Sequence, residues 1–183
     1  MATQGAIGGE KQRGTAAWVL SKPVRREVFV LAKLVAQAVS FLSLAVAIPS
    51  AIFYGQSRIL WGSFPDPLVF VGSVLLVVLH VLFYLALTLM LGTFFRGSSP
   101  VAGIALGALL GGYVAQERLK RLASAMPWDL PDIAALFTNG IPIEEAAVQL
   151  ASPVLLAMPI IATAIWTALF VAVALWRFAR DEF

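Results

Sequence analysis

The chain has 183 residues, 60% of them apolar and only 13% charged, with a formal net charge of +3 and no cysteine. A soluble domain carries about a quarter charged residues, so this chain has too little polar surface to cover a globule in water. Its mean hydropathy of +0.89 makes lipid its main solvent. The lack of cysteine excludes disulfides, thiol nucleophiles and cysteine–metal sites.

Residues 1–33 are charged and contain no early apolar core, so they do not read as a cleavable signal peptide. Glu10 is placed at the start of a short helix, where a carboxylate favours the positive end of the dipole. Gly14 follows one turn later and leaves room for another backbone. Lys22-Pro23 ends that helix, because the residue before proline is driven out of the α region. From Val24 a second helix sets Val24, Val28 and Leu31 on one side and Arg25, Arg26 and Lys33 elsewhere. On physics alone this is a basic interfacial helix, an anchor to anionic lipid that fixes topology.

The remainder, 34–183, reads as an all-α, polytopic transmembrane helical bundle with about four spans. A bilayer core about 30 Å thick needs roughly 20 apolar residues at about 1.5 Å each. Segments 34–54, 67–95, 100–116 and 152–176 meet that need, the third being short and rich in glycine. Pro49 is expected to kink the first, and Pro153 and Pro159 fall in the first turns of the last. Basic residues near the span ends favour both termini in the cytoplasm of a plasma (inner) membrane protein, with nine inside and four outside. Trp61, Trp128 and Trp176 then sit where aromatic anchors gather at the lipid–water boundary.

On that topology the loop 117–151 is external, two short amphipathic pieces around Pro127, Pro131 and Pro142. Leu130, Ile133, Leu136 and Phe137 suggest a piece lying on the bilayer surface. Asp129, Asp132, Glu144 and Glu145 read as solvated loop charge rather than a cation trap, since their spacing matches no calcium loop.

The stretch GEKQRGTAAWVLSKPVRREVFVLAK (9–33) resembles the cytoplasmic coupling region of type-2 ABC exporter permeases. That family carries Glu-x-x-x-Gly-Thr, then Leu-Leu/Ser-x-Pro-Val-x-Arg, then a lysine opening a span. The positions here are Glu10, Gly14 and Thr15, then Leu20, Ser21, Pro23, Val24 and Arg26, then Lys33. The segment 85–110 is similar to the family's two-span hairpin with Arg96 at its turn, and the closing WRFARDEF is similar to its aromatic-basic end.

The resemblance implies a permease that docks a separate ATP-binding-cassette ATPase subunit through Glu10, Gly14 and Thr15, with Pro23 and Arg26 fixing the turn into the membrane. It also implies assembly with a second permease copy or a related permease. Family members usually have two further spans before the Glu-x-x-x-Gly element. This chain has nine residues there, so it reads as a permease without the first two spans.

Other features point less far. Gly103, Gly107 and Gly111 form a small-residue stripe that fits close helix packing, within the molecule ahead of a dimer seam or a substrate path. His80, mid-span, is a functional candidate by its depth, or a neutral partner for a serine, threonine or glutamine on another helix. No phosphate loop, nucleophile elbow or His-Glu-x-x-His pair occurs, so no catalytic residue, metal or cofactor is assigned. The basic N-terminus is explained by topology, which leaves no case for nucleic acid. The competing function is a small four-span scaffold or assembly protein without transport.

Overall fold

The computed structural model describes residues 26–95, 97–118, 126–138 and 153–180. In chain order these form α1 (Arg26–Leu42), a π turn (Ser43–Ala47), α2 (Ile48–Trp61), α3 (Pro67–Phe94) and α4 (Ser98–Arg118). A 3-10 turn (Pro127–Asp129), α5 (Leu130–Thr138) and α6 (Pro153–Arg180) follow. The protein is an all-α helical membrane bundle, with no strand among the described residues. Leu34–Leu60, Pro67–Phe94 and Ala157–Phe178 are long and apolar enough to cross a bilayer, and Ser98–Gly112 is a shorter apolar helix.

Pro49 shapes the first span as its chemistry requires. It has no N–H to offer the carbonyl four residues back, and its ring crowds that carbonyl. The helix widens just before it, with the Ile48 N–H bonding to Ser43 O, five residues back. The expected kink is thus taken up as a single π turn, and the helix continues to Trp61.

The link to α3 is a tight hairpin. Gly62 adopts a left-handed φ of 74° and its N–H bonds to Arg58 O at 3.0 Å, ending α2. Asp66 then caps α3, its Oδ1 accepting from Leu68 N–H at 2.8 Å. Tyr54 packs on Phe64 (5.2 Å between ring centres) and on Phe70 (4.9 Å), closing the hairpin.

The chain divides into two compact units. One takes in the described residues of 26–39, 82–111 and 165–180. There Phe83, Leu87, Leu91 and Val101 form a core with Trp166 and Phe170. A neighbouring cluster joins Leu89, Ala174 and Phe178, with Leu34 packed against it. This end of α3 is buried all round, at Phe83, Leu85, Ala86, Leu87, Leu89 and Leu91, as befits a central helix.

The second unit takes in the described residues of 40–81 and 112–164. Its core joins Leu76 of α3 to Leu130, Ile133 and Ala134 of α5.

Outward-facing positions are apolar: Leu44 is 69% exposed and Ile59 84%. That is the surface a lipid solvent calls for, since contiguous apolar area of this kind would aggregate in water. Buried hydroxyls are satisfied locally. Ser57, Ser73, Thr93 and Thr163 donate to carbonyls three or four residues back, at 2.6 to 3.1 Å. Away from water an unpaired hydroxyl is costly, and the helix's own backbone is the nearest acceptor.

Candidate functional site

His80 lies near the middle of α3, thirteen residues after Pro67, which starts the helix. At about 1.5 Å per residue that is roughly 20 Å along a helix of about 42 Å, close to the centre of a core about 30 Å thick. Its partner is the backbone carbonyl of Pro127, with Nδ1 and O 3.0 Å apart. A carbonyl only accepts, so Nδ1 carries the proton and donates. The same oxygen accepts from Leu130 N–H, so both of its lone pairs are engaged.

The neighbouring residues seat the same segment from other directions. The Trp128 ring lies where a Cβ on Gly112 of α4 would be, a contact that only glycine permits. Beyond it Leu130 is fully buried and Ile133 is 2% exposed, both against Leu76. Val69, Val77, Leu79, Leu136 and Ile160 complete the cluster. The turn and α5 therefore climb along α3 from mid-depth, each residue class in its place: a carbonyl for the imidazole, an indole for the glycine notch, aliphatics for Leu76.

Three readings of the sequence gain a packing partner here. The piece containing Leu130 and Ile133 has its apolar face covered by α3. Trp128 fills a notch at Gly112 of α4. His80 bonds across the fold as expected, here to the backbone carbonyl of Pro127.

The glycine stripe also behaves differently. Gly103, Gly107 and Gly111 have no described atom within 4 Å of where a Cβ would stand, so no described helix enters there. Of the glycines in α4, Gly112 is the one a described neighbour occupies. Of the acidic loop residues, Asp129 is half-buried and Asp132 exposed. Glu144 and Glu145 lie outside the described residues, as do the coupling positions Glu10, Gly14, Thr15 and Pro23. Arg26 opens α1, and its side chain is likewise outside the description.

His80→Leu removes the imidazole donor but leaves the Pro127 oxygen bonded to Leu130 N–H. The expected loss is therefore about 1 kcal/mol, the worth of one ordinary hydrogen bond, rather than the larger cost of an orphaned group. Thermal unfolding of the purified protein in detergent checks it, and the absence of any measurable loss contradicts the Pro127 bond.

The fold and its docked loop define a polytopic α-helical membrane protein. A family model described as "ABC-2 family transporter protein" matches residues 1–183. The chain belongs to the ABC-2 transporter family, the membrane permeases of ABC transporters. Comparisons with curated proteins and with solved structures return no match.

Proposed function

We propose that this chain is the membrane-spanning permease subunit of an exporter, driven by a separate ATPase subunit that docks on Glu10, Gly14 and Thr15. The observation that carries the reading is the family match over the whole chain, joined to the ordered series Glu10, Gly14, Thr15, Pro23, Val24 and Arg26 ahead of the first span. The chain has no phosphate-binding loop of its own, which fits ATP hydrolysis on a partner.

On this reading both termini face the cytoplasm of a plasma membrane, and loop 117–151 faces outward. Closure of two ATPase subunits on nucleotide biases a two-state arrangement of the spans through a small contact. Pro23 and Arg26 fix how that contact turns into α1. The open stripe of Gly103, Gly107 and Gly111 is the packing face for a helix of a second permease.

Co-purification with the cognate ATPase tests this. Glu10→Ala and Gly14→Trp are expected to weaken the complex roughly tenfold or more, as truncation of a central contact does. ATPase turnover in lipid should lose its response to the permease in both variants. An ATPase rate indifferent to the chain and to both substitutions overturns the proposal.

A further inference from the structure

The last turn of α6 carries two arginines at i and i+3, Arg177 and Arg180. They stand at the end of the apolar stretch Ala157–Phe178, and so at headgroup level rather than in the hydrocarbon. Each guanidinium lies over an aromatic ring. Arg177 Cζ is 4.3 Å from the centre of the Phe94 ring, and Arg180 Cζ is 4.3 Å from that of Trp176. Trp176 is itself 53% exposed, as an interfacial anchor should be.

Stacking uses the faces of a guanidinium and leaves its in-plane N–H edges for acceptors. The unit that holds this pair has no Asp or Glu among its described side chains. Arg177 Nε is closed to solvent and has no acceptor among the described residues. Two guanidiniums within one turn, with no described carboxylate in their unit, suit an anion with several oxygens.

We propose that Arg177 and Arg180, placed over Phe94 and Trp176, bind the phosphate of an anionic phospholipid headgroup at this end of α6. Two parallel forks suit phosphate oxygens, which accept bidentate hydrogen bonds from arginine better than from lysine. Lipid is the phosphate source that a membrane always presents at this level. An anionic headgroup is preferred over a zwitterionic one because choline would bring a second cation against two arginines.

The purified chain in phosphatidylcholine nanodiscs, with and without phosphatidylglycerol, provides the test. Native mass spectrometry counts retained lipid, and thermal unfolding reads stabilisation. The wild type should retain phosphatidylglycerol over phosphatidylcholine, and R177Q/R180Q should lower that preference about tenfold. R177K/R180K, which keeps charge but loses the fork, should lose most of it.

Full retention in the lysine variant would reduce the site to general charge attraction and overturn the proposal, as would an unchanged preference in the glutamine variant. Arg180→Gln alone, at an exposed position, keeps the test readable if Arg177 variants fail to fold. Millimolar inorganic phosphate in phosphatidylcholine discs should give no stabilisation. A shift equal to that of phosphatidylglycerol assigns the site to soluble phosphate and rejects the lipid. Asp181 and Glu182 follow in the sequence, and D181N/E182Q should leave retention unchanged or raise it; a fall rejects the phosphate as the arginines' partner.

Discussion

Gly112→Ala is expected to unseat the loop segment, although alanine is the better helix former. The added methyl falls on Cγ, Cδ1 and Nε1 of Trp128. Cγ is the root of the indole, so the whole ring has to leave rather than swing its tip. Overpacking of this kind costs about 1–3 kcal/mol, against a gain of about 1 kcal/mol in helix propensity. The neighbouring Gly111 supplies the control, because nothing described lies within 4 Å of its Cβ position. Gly111→Ala should leave the fold unchanged or slightly firmer.

The absence of native cysteine makes the readout direct. A single reporter, Ile133→Cys, is placed at a site 2% exposed and is expected to resist maleimide in detergent. In the Gly112→Ala background its labelling should rise on the order of tenfold, with about 1.4 kcal/mol per factor of ten. Equal labelling rates in the two backgrounds would show that Trp128 does not hold the segment.

The second large effect is expected at Leu130, which has no exposed surface and lies between Leu76, Ile133 and Ala134. Leu130→Ala opens a cavity that α5, only nine residues long, has few other contacts to close. The expected destabilisation is about 2–5 kcal/mol, as for buried leucines generally. Thermal unfolding measures it, with Leu44→Ala as the comparison. Leu44 is 69% exposed and faces lipid, so its truncation should cost well under 1 kcal/mol. Similar losses at the two positions would mean that α5 is not packed as described.

Much of the architecture was readable from residues alone, because hydrocarbon leaves a chain few options. Runs of about 20 apolar residues must be helices. Pro49 must disturb the first of them. What the sequence withheld was depth. The spacing of Leu130, Ile133 and Leu136 makes one apolar face, and that periodicity is the same whether the face meets lipid or another helix.

His80 carried the missing information only in part. A mid-span imidazole demands a partner, yet side-chain patterns cannot announce a backbone carbonyl 47 residues away. The glycine stripe is a signal of the same partial kind. Small residues mark where a helix is able to come close, and Gly112 alone shows a described neighbour that did. The coupling positions rest on family resemblance and on the family match, since Glu10, Gly14, Thr15 and Pro23 lie outside the described residues.

The placement of α5 also bears on how the polypeptide matures in the cell. Nine residues make a rod of about 13 Å, too short for the insertion machinery to recognise as a span. Its contacts with Leu76 and Gly112 therefore form only once α3 and α4 are in position to receive it. Biogenesis thus ends with a post-insertion step, and an intermediate stalled there would have its long helices threaded while residues 126–138 remained open to protease.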